Sequence, residues 1–148
     1  KKISLIVLLF SNTLCVNSSN LDKAINIINK KKKIDSIVSV SKYNMWSPLR
    51  ARKINNKGFL EPFVKFEYFG DPKTLNCDRD SQGDVWFADM GFSIVKPKCL
   101  ENMKEGLLPQ KWMGKNIYPF KQEGGFDIDY KWQLESLKYW NKNFNKNI

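Results

Sequence analysis

Residues 3–40 constrain the fold of this chain more tightly than any other stretch. The run ISLIVLLF at residues 3–10 is almost continuously apolar, as in a strand buried on both faces of a parallel sheet. Polar Ser11, Asn12 and Thr13 open a loop behind it. Leu21, Ala24, Ile25 and Ile28 then recur at i, i+3, i+4 and i+7, which gives a helix one apolar stripe. Ser19 and Asp22 have the spacing of a capping box at its start. Lys30, Lys31, Lys32 and Lys33 close it, where cations suit the negative end of the helix dipole. Ile37-Val38-Ser39-Val40 supplies a second short strand. Strand, helix and strand in succession predict a βαβ unit with a right-handed crossover. The expected class is α/β.

The pattern then changes. Residues 43–53 hold Ser47-Pro48, Arg50 and Arg52, and Asn55-Asn56-Lys57-Gly58 supplies a turn. Residues 59–69 are aromatic and read as extended, with Pro62 consigning part of them to an edge. This reads as a hairpin arm over residues 43–75, followed by a polar loop that reaches Asp84. Phe92-Ser93-Ile94-Val95 is a further strand ended by Pro97, residues 100–104 a brief helix, and residues 117–120 a last strand. Gly124-Gly125 breaks the chain before a closing helix with Tyr130, Leu134, Leu137 and Trp140 on one stripe. Residues 1–140 are expected to be one domain, with 141–148 a disordered tail.

A length of 148 residues suits one domain with a real core. The chain contains no histidine, which excludes Ser-His-Asp and Cys-His nucleophiles, histidine bases and histidine-ligated metals. A net charge of +10 favours an anionic partner. The lysines are scattered, however, and not set in a stripe with aromatics, which speaks against nucleic acid and for a solvated surface. Arginine is scarce, with only Arg50, Arg52 and Arg79. Where lysine is the default cation, these sites point to a need for the planar guanidinium fork, as in carboxylate or phosphate recognition. Cys15, Cys77 and Cys99 have no metal or disulfide spacing, so reduced cysteines and a cytoplasmic location are expected.

Lys1-Lys2 before the apolar run imitates a signal peptide, with Cys15 posing as a lipoprotein cysteine. Leu14 is too large for the position before such a cysteine, and the run is too short to span a membrane. The first residue is not methionine, and the chain is expected to be the downstream part of a longer protein.

Asp127-Ile128-Asp129 is the sharpest local feature. In an extended segment, residues i and i+2 project to one face. Two carboxylates side by side repel each other, and a divalent cation relieves the repulsion. The alternative is that Asp129 caps the closing helix while Asp127 is solvated.

Four stretches, in this order, resemble the carboxyl-terminal part of the acylneuraminate cytidylyltransferases, the CMP-sialic acid synthetase family. They are IVLLFSNTLCVNSSNLDKAI with DSIVSV, SPLRARKI, RDSQGDVWFADMGFSIV, and GGFDID before the last helix. The resemblance covers residues 3–140. It implies a Rossmann-like domain of the nucleotide-diphospho-sugar transferase type, a three-layer sandwich present in part, with a protruding β-hairpin arm used in homodimerisation. It also implies transfer of CMP from CTP to a nine-carbon acidic sugar, release of pyrophosphate, and Mg2+ held by Asp127 and Asp129.

By the same resemblance, Arg79 and Gln82 fall on the family's arginine–glutamine substrate loop. Asn12 and Thr13 occupy the loop after the first strand, where the family contacts its substrate. Arg50 and Arg52 sit beside the arm, to meet the sugar carboxylate or a partner subunit; pairing of the arginines with nearby acids is the structural alternative. The family's first strand and its nucleotide loop have no counterpart here, so this chain alone is expected to be inactive. No membrane partner is implied, and the identity of the acidic sugar and of the base stays open. Two other readings compete: a non-catalytic basic α/β module that binds an acidic polymer, and a sugar nucleotidyltransferase of another kind.

Overall fold

A computed structural model describes residues 2–13, 16–76, 78–79 and 82–144. In chain order its elements are β1 (Ile6–Leu9), α1 (Ser18–Lys30), β2 (Ser36–Lys42), β3 (Arg52–Ile54), β4 (Leu60–Pro62), β5 (Trp86–Val95), α2 (Pro97–Glu101), β6 (Ile117–Lys121) and α3 (Gln133–Phe144). They form a mixed α/β fold in two compact units, Lys1–Ser41 with Ala88–Ile148, and Lys42–Phe87.

In the first unit four strands hydrogen-bond in the order β1-β5-β2-β6. β1 is antiparallel to β5, with Ile6 opposite Val95 and Leu9 opposite Phe92. β2 is parallel to β6, with Ser36 opposite Ile117. Lys96 N–H donates to the Asp35 carbonyl at 3.1 Å at the start of β2, and Phe92 N–H donates to Ser39 Oγ further along it. β5 therefore runs antiparallel to β2, so β1 and β2 are parallel to each other with β5 between them. α1 joins these two parallel strands, which is the expected βαβ connection. Its buried Ala24 and Ile28 pack with Ile34, Ile37, Phe92 and Ile94 into the core. Burying each large side chain there contributes about 1.5–3 kcal/mol.

Several local expectations change. β1 is no doubly buried strand: Val7, Leu8 and Leu9 are 38%, 38% and 51% exposed, because it lies at the edge of the sheet. A continuous apolar run does not distinguish an edge from a centre. Asn17, not the Ser19 and Asp22 pair, caps α1, its side chain accepting the Asn20 N–H at 2.7 Å. β5 is ten residues long and begins well before Phe92. α2 starts at Pro97, a residue suited to the first helical turn because its missing N–H has no partner to lose there. α3 continues through Phe144, so residues 141–144 are helical, while 145–148 lie outside the described residues. Of the expected apolar stripe, Leu137 and Trp140 are buried, whereas Leu134 and Tyr130 are exposed.

The second unit contains the hairpin. β3 and β4 pair antiparallel, with Arg52 opposite Pro62. Asn55 Oδ1 accepts the Lys57 and Phe59 N–H groups at the turn, and Gly58 supplies its φ of +81°. The extended reading of residues 59–69 shrinks to Leu60–Pro62 followed by a 3-10 turn at Phe66–Phe69, since the three-residue β3 offers nothing further to pair with. Among the described residues no helix is long and apolar enough to cross a membrane. Cys99 is buried with a free thiol, as expected; Leu14, Cys15 and Cys77 lie outside the described residues.

Asp35 ties the start of β2 to the segment entering β6. Its Oδ2 accepts the N–H groups of Lys115 and Asn116 at 3.1 and 3.0 Å, and its Oδ1 lies 2.7 Å from the Lys98 ammonium. Burial pushes this carboxyl up, but Lys98 and the Asn116 and Lys115 N–H groups outweigh it and hold the pKa at about 2, below the ordinary 3.8. The unfolded chain therefore takes up this proton more readily than the folded one. The tie stabilises fully above about pH 4 and is lost as pH falls through about 2. Asp35→Asn is expected to lower stability at pH 7 by about 1–2 kcal/mol. It should also flatten the acid-side fall, as read by urea unfolding at a series of pH values.

Candidate functional site

The Asp127 segment is anchored by partners more than a hundred residues away in sequence. Thr13 and Asp127 form an isolated antiparallel bridge. Ile128 N–H donates to the Asn12 carbonyl at 2.9 Å, and Asn12 Nδ2 reaches back to the Ile128 carbonyl at 3.3 Å and to Asp129 Oδ1 at 3.5 Å. Thr13 Oγ1 donates to the Phe126 carbonyl at 3.4 Å. Asn12, Thr13, Asp127 and Asp129, all singled out in the sequence, thus lie together. Thr13 is buried, Asp127 half-buried and Asp129 exposed, so solvent reaches both carboxylates.

The alternative role for Asp129 is not what the chain adopts. α3 starts at Gln133, four residues on, and Gln133 Oε1 accepts the N–H groups of Asp129 and Tyr130 at 2.8 and 2.6 Å. The glutamine, not the aspartate, closes this turn, and the Asp129 carboxylate is left off the helix. The two carboxylates would offer oxygen ligands only, the chemistry that suits a hard cation such as Mg2+. Among the described residues no group of three or more His, Cys, Asp or Glu side chains gathers as a metal cage. The remaining ligands of a cation here would be water and substrate, the habit of Mg2+.

Behind this segment lies a polar cluster that the sequence reading missed. Asp89 is 3% exposed. Its Oδ1 accepts from Ser39 Oγ at 2.6 Å and Gly91 N–H at 3.1 Å. Its Oδ2 accepts from Ser41 Oγ at 2.7 Å and Gln122 Nε2 at 2.9 Å. Ser41 Oγ in turn accepts the Gly125 N–H at 2.9 Å. On β2, Ile37, Ser39 and Ser41 share one face by alternation, so the apolar core grades into this cluster toward the Asp127 segment. The available signal was the Ser-x-Ser spacing within an otherwise apolar strand.

In the second unit, Arg50 and Arg52 line one open pocket of about 590 Å³ with Phe66 and Asn76. Arg52 Nη1 donates to the Leu49 and Ala51 carbonyls at 2.8 and 3.0 Å, and its guanidinium carbon stands 5.1 Å from the Phe66 ring centre. Backbone and ring together fix its orientation. Gln82 Nε2 donates to the carbonyl of Asn76 on the same pocket wall at 3.3 Å, and Arg79 is exposed. Of the two acids expected as alternative ion-pair partners of Arg79, Asp78 is exposed like it, and Asp80 lies outside the described residues. Comparison with models of known protein families and with curated proteins finds no match for this chain.

Proposed function

We propose that this chain serves a Mg2+-dependent cytidylyltransferase of the acylneuraminate type, on a Rossmann-like sheet of the nucleotide-diphospho-sugar transferase kind. The reaction loads CMP from CTP onto a nine-carbon acidic sugar. The observation that carries the reading is the bridge between Thr13 and Asp127. It joins the loop after β1 to the carboxylate pair, as that chemistry requires a substrate loop beside a metal site.

In the reaction the anomeric hydroxyl of the sugar attacks the α-phosphorus of CTP. A new oxygen–phosphorus bond forms, the bond to the β-phosphate breaks, the hydroxyl proton is released, and pyrophosphate leaves. Mg2+, when bound, offsets charge on the triphosphate and the departing pyrophosphate. Asp127 and Asp129 hold it. Asn12 and Thr13 position the segment that carries them and face the substrate. In the second unit, Arg50 and Arg52 offer guanidinium forks of the kind that bind a carboxylate, and Arg79 and Gln82 are further polar side chains there that could bind sugar oxygens. Catalysis of this kind is mostly positioning and charge stabilisation, and needs no histidine. The arm carries exposed Ile54, Phe59, Leu60 and Phe63, an apolar surface of the kind that a homodimer covers.

The test is pyrophosphate release by the full-length protein from CTP, Mg2+ and a panel of sugars. Release is expected with acidic nine-carbon sugars and not with neutral hexoses or hexose phosphates. Release with a hexose phosphate alone would move the protein to another sugar nucleotidyltransferase. No release, together with salt-sensitive binding of an acidic polymer, would favour the non-catalytic module.

A further inference from the structure

The carboxylate pair stands on a segment with little regular structure of its own. Between the end of β6 and the start of α3 the chain makes the Gly124-Gly125 turn and the single bridge at Asp127. A metal site on such a segment is only as well placed as the contacts that hold the turn. One continuous set of buried contacts does so, running from the Asp89 carboxylate through the Ser41 hydroxyl to the Gly125 N–H. Ser41 Oγ also lies 3.3 Å from the Gln122 carbonyl, and Gln122 Nε2 returns to the same Asp89 oxygen. Both ends of the turn from Gln122 to Gly125 are thus fastened to one carboxylate oxygen.

We infer that Asp89 and Ser41 are positioning residues for the acid pair: the buried carboxylate orients the Ser41 hydroxyl, and that hydroxyl fixes the turn from which Asp127 and Asp129 depart. The inference rests on the metal reading of those two carboxylates. Close packing supports it. A Cβ on Gly125 would stand 2.5 Å from Asp89 Oδ2, and one on Gly91 would stand 2.7 Å from Gln122 Nε2 and 2.8 Å from Ser39 Oγ. The glycines let the backbone approach the carboxylate on two sides, so Asp89 acts as a hub for the surrounding chain and not as a group facing solvent. Gln122 Oε1 is buried without a hydrogen-bond partner. The amide is oriented by what its nitrogen gives to Asp89, at the expense of its oxygen.

Ser39 supplies an internal control. Its hydroxyl also donates to Asp89, at 2.6 Å, but to the other oxygen, and it accepts the Phe92 N–H of β5 instead of a group on the turn. Ser39→Ala and Ser41→Ala each remove one buried hydroxyl from the same carboxylate. A purely structural role for the cluster makes the two variants alike. A positioning role separates them.

The experiment compares both variants with the unaltered protein by two readouts. The first is amide hydrogen exchange at Gly125 and Ile128, normalised to the core amide of Ile37. The second is Mn2+ binding followed by water-proton relaxation, with Asp127→Asn as reference for loss of the metal. Ser41→Ala is expected to speed exchange at Gly125 and Ile128 at least about tenfold and to weaken Mn2+ about tenfold, with Ser39→Ala within about twofold on both. Should Ser41→Ala fail to fold, Asp89→Asn repeats the comparison, because Gln122 can turn its free Oε1 toward the new amide; at least about threefold is expected there. Equal exchange in the two serine variants overturns the inference, as does unequal exchange with equal Mn2+ affinity. If the unaltered protein binds no Mn2+, the metal reading fails, and exchange alone then decides whether the relay holds the segment.

Discussion

In the full-length protein, Asp127→Asn is expected to lower CTP-dependent pyrophosphate release by at least about 100-fold while leaving the unfolding midpoint in metal-free buffer nearly unchanged. The two halves of this result have separate causes. Asp127 meets Thr13 through the backbone bridge, which asparagine preserves, and its side chain is half-buried, so the fold loses little. The neighbouring Asp129 carboxylate is even relieved of a like charge. What asparagine removes is one anionic oxygen ligand, and a hard cation held by two carboxylates loses most of its affinity with one. A loss of several kcal/mol in transition-state stabilisation corresponds to at least about 100-fold in rate.

Asp129→Asn should match it, and the double variant should be little worse than either single one, since the two act as one ligand set. A second readout requires no turnover. Mg2+ at ten times its dissociation constant should stabilise the unaltered protein by about 1.4 kcal/mol, and the variant not at all. Equal Mg2+ stabilisation of both proteins would end the metal assignment whatever the activity showed.

The strand–helix–strand start of the chain was legible because each piece has its own period, and the buried stripe of α1 follows that period to Ala24 and Ile28. Position within the sheet was not legible. The apolar run at residues 3–10 looks like an interior strand, yet β1 lies at the edge, and that placement is decided by β5, some eighty residues later. The sequence pattern shows β5 only from Phe92 for a local reason. Asp89-Met90-Gly91 has the composition of a turn, and Met90 does adopt a φ of +60°. The Asp89 side chain meets the Gly91 N–H, and the strand carries on through the irregularity. The acid pair was visible as a spacing, and Asn12 and Thr13 as a loop, but their meeting spans more than a hundred residues and no local pattern encodes it. The Asp89 cluster was hidden for the opposite reason. Each of its members is an ordinary polar residue, and only burial together turns them into a unit.

That unit makes Gly125→Ala a strongly damaging small substitution, expected to cost about 3 kcal/mol, or roughly 10 °C in melting temperature. Alanine is harmless where it finds space or where its neighbour is a flexible tip. Here the added carbon would lie 2.5 Å from Asp89 Oδ2, 2.7 Å from Asp89 Cγ and 2.9 Å from Gln122 Nε2. The carboxylate cannot step aside, because Ser39, Ser41, Gln122 and the Gly91 N–H hold both of its oxygens. Either the turn moves and Gly125 N–H leaves Ser41, or Asp89 moves and buried donors lose their acceptor, at about 1–3 kcal/mol for each such group.

Gly58→Ala is the matching control. Gly58, unlike Gly125, has a positive φ, +81°, and nothing stands within 4 Å of its Cβ position, so only the backbone term of about 1 kcal/mol is paid. Denaturant melts of the two variants side by side separate packing from conformation. Near-equal costs would mean that the turn yields without resistance, and the buried carboxylate would then have no grip to pass on to the acids beyond it.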